Sequence, residues 1–174
     1  MIKKTLYIMC GIPASGKTYY AKNILLSDKV HYVSRDEIRF SLLNDNEDYF
    51  SKEKEVYSLF IDEISKYLVD PNCEYVIADA THLNWPSRRK LLKSINLKLV
   101  ADGTWKGIQD INIIPVVINT PYKIVLERNN VRTGREHVPT SVLADMKNKF
   151  EDPVADAFYY NYIIYDKGTY VTLS

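Results

Sequence analysis

The chain has 174 residues, 46% of them hydrophobic, and a net charge of +1. That suffices for one domain with a core, and it excludes a broad basic surface for long nucleic-acid duplexes while leaving room to recognise one end through a few phosphates. Cys10 and Cys73 are the only cysteines; they give no zinc-ligand spacing and suit a reducing compartment.

Lys3 and Lys4 precede only a short apolar run, and no stretch approaches the ~18 apolar residues of a membrane span. The expectation is a cytoplasmic protein with no signal peptide and no membrane partner; a homo-oligomer stays open. The 14 tyrosines form no regular stripe, which favours core-edge positions over a base-stacking track.

In chain order, TLYIMC (5–10) reads as a buried strand and TYYAKNILLS (18–27) as a helix. VHYVS (30–34) is a second strand, and DEIRFSLL opens another helix. Residues 52–70 place Val56, Leu59, Phe60, Ile64 and Leu68 on one helical face. YVIAD (75–79) is a third strand, and PSRRKLLKSI (86–95) a helix with Pro86 near its first turn. Residues 98–110 are the least regular and read as a surface excursion without an assigned role. INIIPVVI (111–118) is a fourth strand despite Pro115; PYKIVLERNN and PTSVLADMKNKF are helices, and YNYIIY (160–165) is the last strand. This alternation predicts an α/β fold: a parallel five-stranded sheet, helices on both faces, in a single domain over 1–174.

GIPASGKT (11–18) fits the phosphate-loop pattern of Gly, four residues, then Gly-Lys-Ser/Thr. Gly11 and Gly16 let backbone wrap phosphates, and the amides from Ser15 to Thr18 point inward at a helix start. Lys17 reaches the β- and γ-phosphates, and the Thr18 hydroxyl ligates magnesium. ATP and Mg2+ are therefore the expected ligands. YVIAD ends in Asp79, which would emerge at the ligand-binding edge of the sheet to hold magnesium through water or to orient a substrate. Thr81, His82 and Asn84 follow as acceptor-side or helix-entry hydrogen bonders.

ERNNVRTGREHVP (127–139) carries Arg128, Arg132 and Arg135. Four apart, Arg128 and Arg132 would share one helix face, forming a basic, helical lid over a transferring phosphoryl group. No Asn-Lys-x-Asp base-reading motif suggests a GTPase, and a remodelling ATPase would usually need a larger chain. In VSRDEIRF (33–40), Ser34 and Glu37 make a capping box, and Asp36 can pair with Arg39 along the helix. At a strand end beside the phosphate-loop strand, the same Asp36 could accept the proton of an attacking hydroxyl, with Arg39 holding an anionic part of the acceptor. Arg88, Arg89, Lys90 and Lys93 could follow a polynucleotide backbone or form a solvated helix face.

Taken together, GIPASGKT, SRDEIR, ADATHLN, ERNNVRTGR and VPTSVLADM resemble, in order, the motifs of the kinase domain of bacteriophage-type polynucleotide 5′-kinases, over residues 4 to about 150. The resemblance implies an ATP-dependent 5′-hydroxyl kinase acting on single-stranded or end-frayed DNA or RNA. Asp36 would activate the 5′-hydroxyl, Arg39 would contact the neighbouring 3′-phosphate, and Asp79 and Thr81 would line the acceptor side. Arg128 and Arg132 would reach the ATP phosphates. Asp166 has no second acid two residues later, so the 3′-phosphatase activity of the phage enzyme is not expected. A small-molecule kinase and a non-catalytic, ATP-dependent binding module are the alternatives.

Overall fold

Strand β1 (Thr5–Cys10) lies at the centre of the sheet because its side chains are apolar on both sides. In the computed structural model, which describes residues 4–25, 28–101, 103, 107–156, 162–166 and 169–173, β1 pairs in parallel with β3 (Tyr75–Asp79) and β4 (Asn112–Ile118). β2 (Val30–Ser34) pairs with β3, and β5 (Tyr162–Asp166) with β4, both parallel. β6 (Thr169–Leu173) adds an antiparallel edge, giving the order β2-β3-β1-β4-β5-β6. Among the described residues the sheet is thus six-stranded and mixed where a five-stranded, wholly parallel one was expected. A hairpin adds β6 without the long crossover that a parallel strand requires.

Helices α1 (Lys17–Tyr20), α2 (Arg35–Leu42), α3 (Glu53–Val69), α4 (Trp85–Ala101), α5 (Tyr122–Asn130) and α6 (Thr140–Asn148) cover the sheet and its rim. Strand alternation splits the core. Leu6, Ile8, Cys10, Val76 and Ala78 pack against Phe60, Ile61, Ile64 and Leu68 of α3 and Leu91, Leu92, Ile95 and Leu99 of α4. Met9, Ile77, Val116 and Ile118 face the other way, onto Tyr20 and Ala21. Each such fully buried Leu or Ile contributes roughly 1.5–3 kcal/mol.

Several expectations need correction. Leu59 is 38% exposed and Ile61 is buried instead, because the face that meets the sheet runs through Val56, Phe60, Ile61, Ile64, Ser65 and Leu68 and leaves Leu59 at its margin. The first helix changes to a π-helical turn over Ala21–Leu25. The excursion over 98–110 begins as helix: α4 continues to Ala101, with Leu99 buried, and Ile108–Asp110 forms a 3-10 turn; residues 102 and 104–106 lie outside the described set. Residues 26, 27, 160 and 161 of the expected elements lie outside it too.

Pro115 sits inside β4 at no cost to the ladder. The Asn112 amide donates to Lys4 on the β1 side, so alternation turns position 115 toward β5, whose pairing starts only at Val116. Among the described residues, no helix is long and apolar enough to cross a membrane.

β2 does not lie beside the phosphate-loop strand, as expected from the sequence; β3 separates them. Chain order reverses about β1, whose neighbours are β3 and β4, and the crevice at its C-terminal end is where α/β sheets bind ligands. Register aligns the strand ends, with Ser34 opposite Asp79 and Asp79 opposite Met9.

Candidate active site

A cleft of about 1290 Å³ opens along these strand ends, lined by the phosphate loop, Asp36, Arg39, Asp79, Thr81 and the three lid arginines. The loop from Gly11 to Lys17 is shaped by backbone. Gly16 has φ +104, and a Cβ there would stand 3.2 Å from Arg128 Nη1; a Cβ on Gly11 would meet Ser15 Oγ at 2.9 Å. Ala14, at φ 62, holds a left-handed conformation that costs a non-glycine residue energy, the sort of strain that collects at functional sites. The Ser15 carbonyl accepts from Thr120 Oγ1 (2.6 Å) and Arg128 Nη1 (3.1 Å), pinning the loop from outside.

Lys17 is buried and donates from Nζ to the Ile12 carbonyl at 3.0 Å. Burial pushes its ammonium below the ordinary lysine range, against the opposing pull of Asp79 and Asp36. A desolvated ammonium held against a backbone carbonyl suits an arriving phosphate, and so does Ser15 Oγ, buried inside the loop without a hydrogen-bond partner.

Thr18 Oγ1 donates to Asp79 Oδ2 at 2.9 Å, and Tyr32 OH donates to the same oxygen at 2.6 Å. Burial and Asp79 raise the Tyr32 phenol, so it stays a donor. A hydroxyl and a carboxylate in contact at the loop's exit form a hard-oxygen pair, which fits magnesium shared with substrate phosphates. Among the described residues no group of three or more His, Cys, Asp or Glu could hold a metal ion. The Thr81 carbonyl accepts from the Gly11 amide at 3.0 Å, tying the β3 exit to the loop.

Across the cleft, Ser34 caps α2 by accepting from the Glu37 amide at 3.2 Å. The Glu37 side chain does not return to complete the box; it pairs with Lys22 at 2.6 Å. Asp36, in the first turn, has a side chain 64% exposed to the cleft. Its Oδ1 accepts from Arg39 Nη1 (2.6 Å) and from Tyr49 OH (2.7 Å), while neither bond uses Oδ2. Burial and the neighbouring Asp36 push the Tyr49 phenol up to about 12, so it remains a donor near neutrality.

Arg39 is only 4% exposed. Nη1 also reaches Tyr49 OH at 2.9 Å, Nη2 pairs with Glu53, and the guanidinium lies 4.3 Å from the Tyr49 ring centre. Arg35 joins the same Glu53 carboxylate. Arg39 therefore ties Asp36, Tyr49 and Glu53 into one network at the cleft wall.

The lid departs from a helix with paired arginines. α5 ends at Asn130, so Arg128 sits on the helix and Arg132 on the turn beyond it, where its Nη1 reaches the Glu136 carbonyl at 3.4 Å. A short 3-10 turn follows at Gly134–Glu136. Buried Asn129 closes the loop at its base: Nδ2 donates to Val138 O (2.8 Å), and Oδ1 accepts from Val138 N (3.0 Å). Arg135 crosses the cleft mouth to the carbonyls of Asn44, Asp45 and Glu47.

Arg88 belongs to neither a nucleic-acid track nor a solvated face. It is fully buried, with Nε and Nη2 on the Asp156 carboxylate (2.5 and 2.9 Å) and Nη1 on the carbonyls of His82 and Glu151 (3.1 and 3.0 Å). His82 Nδ1 is 2.9 Å from the Met9 carbonyl, and burial drives the imidazole down to about 4. Arg89, Lys90 and Lys93 line a separate shallow depression with Pro86.

Sequence reasoning missed Tyr32, Tyr49, Glu53 and Thr120, all of which line the cleft. Tyr49 and Glu53 lie in a turn and a helix start, where no pattern marks them. Tyr32 and Thr120 follow strand positions that only the aligned strand ends bring inward.

The fold resembles those of solved kinase structures. The chain is similar to a chain of the Pnkp1/Rnl/Hen1 RNA repair complex (TM-score 0.63, 22% identity, 87% of this chain), of which it spans about half, 47%. It is similar to a fungal RNA kinase (0.62, 13% identity, 95% of this chain and 78% of that one). A sugar kinase from Janibacter sp. HTCC2649 is as alike (0.60, 12% identity, 94% and 85%). At such identities these likenesses concern the fold alone. No curated protein matches the chain. A family model described as "AAA domain" matches residues 6–153, and the chain belongs to that family.

Proposed function

We propose that the protein is an ATP-dependent polynucleotide 5′-hydroxyl kinase of the kind found in phage enzymes. The observation that carries the reading is Asp36: an exposed carboxylate held by two donors on one oxygen, in the same cleft as the phosphate loop. Lys17, the loop amides, Arg128 and Arg132 hold the donor phosphates, and magnesium, held by Thr18 with Asp79 behind it, neutralises developing charge when bound. The 5′-hydroxyl oxygen bonds to the γ-phosphorus as the bond to ADP breaks, and its proton passes to Asp36. Because the transition state is loose, Asp36 chiefly orients the nucleophile. Arg39 keeps Asp36 in place, and Asp79 and Thr81 border the acceptor.

One observation favours a second reading, a small-molecule kinase. Arg39 already gives Nη1 to Asp36 and Tyr49 and Nη2 to Glu53, so a 3′-phosphate would compete with these partners for its guanidinium. The two part in a transfer assay with γ-labelled ATP and magnesium. The acceptors are a 5′-hydroxyl oligonucleotide, the same oligonucleotide already 5′-phosphorylated, a nucleoside without 3′-phosphate, and gluconate with simple sugars. Label on the 5′-hydroxyl oligonucleotide alone is the expected result. Label on the sugars or the nucleoside, with the oligonucleotide unlabelled, would establish the second reading. ATP bound but transferred to nothing would leave a binding module.

A further inference from the structure

Two exposed phenyl rings, Phe40 on α2 and Phe50 in the connection between α2 and α3, are not used by the phosphate-transfer machinery. Phe50 is 62% exposed and Phe40 38%, and both line the cleft that holds Asp36. Each stands edge-on to Tyr49: Phe50 at 4.9 Å between centres and 84°, Phe40 at 6.1 Å and 68°. Tyr49 is the residue whose hydroxyl holds Asp36 at 2.7 Å. The rings are therefore attached, through one side chain, to the carboxylate that receives the attacking hydroxyl.

Exposed aromatic surface is unfavourable unless something covers it, and this surface is mounted firmly. Lys52 Nζ donates to the Leu42 carbonyl at 2.6 Å, the Phe50 amide donates to Asp48 Oδ1 at 2.9 Å, and Arg135 holds three carbonyls of the segment. A rigid mount pre-organises the rings for a planar partner. The partner must reach the rings while its hydroxyl reaches Asp36. A terminal nucleotide meets both demands, since its base is joined to the 5′-carbon through one sugar ring, and a base stacks on an aromatic face whatever its identity.

The geometry points to Phe50 and Phe40 as a stacking subsite for the nucleobase of the acceptor's 5′-terminal nucleotide, which sets the 5′-hydroxyl against Asp36. This inference rests on the polynucleotide reading and names how that acceptor is gripped.

The test compares two 5′-hydroxyl oligonucleotides, one normal and one abasic at its 5′-terminal nucleotide, in steady-state transfer by the full chain and by Phe50→Ala and Phe50→Trp. The base-free acceptor is expected to show a KM about tenfold higher, of the order a single stacked base supplies. Phe50→Ala is expected to raise the KM of the normal acceptor to the same degree, to leave the abasic one and the KM for ATP unmoved, and Phe50→Trp to restore it. A second measurement does not depend on any variant: an oligonucleotide with 2-aminopurine at its 5′ end is expected to lose fluorescence on binding the wild-type chain. Equal KM values for normal and abasic acceptors, or unquenched 2-aminopurine in the bound oligonucleotide, overturn the subsite alone. No transfer to any oligonucleotide, with transfer to a sugar, overturns the polynucleotide reading and the subsite with it.

Discussion

The two walls of the cleft are built in different ways. The donor wall is backbone: a glycine-shaped loop at the end of a buried central strand, its amides and carbonyls held by Thr120, Arg128 and Thr81. Beneath it stands a buried polar post in which His82 meets Met9 and Arg88 meets His82, Glu151 and Asp156. The acceptor wall is side chain: Asp36, Arg39, Tyr49 and Glu53 reach one another from two helices and the turn between them, at the edge of the sheet. Backbone cradles tolerate only small changes of residue, whereas a side-chain network can be rewired position by position. A fold can therefore keep one wall while the other changes what it recognises.

The sharpest cut along this division is Asp36→Asn. It keeps the shape and an oxygen for Arg39 and Tyr49, while removing the charge that pairs with Arg39 and the ability to take a proton. Turnover is expected to fall about 10³-fold, within the range for a positioned acid or base, with ATP affinity unchanged within about twofold. Single-turnover transfer beside equilibrium ATP binding measures the two separately. Loss of ATP affinity in step with transfer would mean that the walls are not independent.

The post under the donor wall gives the next effect. Arg88→Met leaves the Asp156 carboxylate buried without its partner, and breaking such a pair costs about 3–5 kcal/mol. Urea unfolding is expected to show that loss, and Arg88→Met with Asp156→Leu to recover most of it. A double variant no more stable than the single one would show that the carbonyls of His82 and Glu151, not the ion pair, depend on Arg88.

The donor wall was legible because its chemistry is local. GIPASGKT specifies a loop through glycine positions and a flanking strand and helix, and β1, β2 and β3 fall at the bounds that their apolar runs predict. Asp79 was legible for the same reason, as a carboxylate ending a buried run. Arg88 was not. In SRRKLLK a buried arginine looks like its solvated neighbours, and its partner Asp156 is 68 residues away. The Asp36–Arg39 contact along the helix was legible, but its enclosure was not, since Tyr49 and Glu53 come from segments with no periodic mark. The long α4 overran its expected end because Leu99 continues the buried face beyond Ile95.

His82 adds a pH dependence confined to the donor wall. Its imidazole titrates near 4 in the folded chain and near 6.5 when unfolded, so only the unfolded state binds the proton between those values. The stability it permits is complete above about 6.5 and is lost as pH falls toward 4, by about 3 kcal/mol over the window. His82→Asn, which tolerates the residue's positive φ, is expected to flatten that part of the stability profile relative to wild type. Parallel profiles for the two chains would assign the acid sensitivity to carboxylates elsewhere.

The smallest effect is expected where the walls meet, at Arg135. Its Nη2 lies within hydrogen-bond distance of the carbonyls of Asn44, Asp45 and Glu47, at 2.5, 2.6 and 2.9 Å. One guanidinium nitrogen has two protons for three oxygens, so at least one bond is shared, and solvent competes for all of them. Arg135→Ala should therefore cost about 1 kcal/mol of contact between lid and acceptor wall, close to the net value of one hydrogen bond. Since the contact falls on the segment that carries Tyr49 and Phe50, the change should appear as a roughly fivefold rise in the KM for acceptor, with the KM for ATP unmoved. Arg135→Lys sharpens the point: an ammonium has three protons for the three carbonyls but presents them from a point. If Lys restores acceptor KM, positive charge near the carbonyls is enough to seat the wall; if it behaves as Ala does, the reach and plane of the guanidinium set the distance between donor and acceptor.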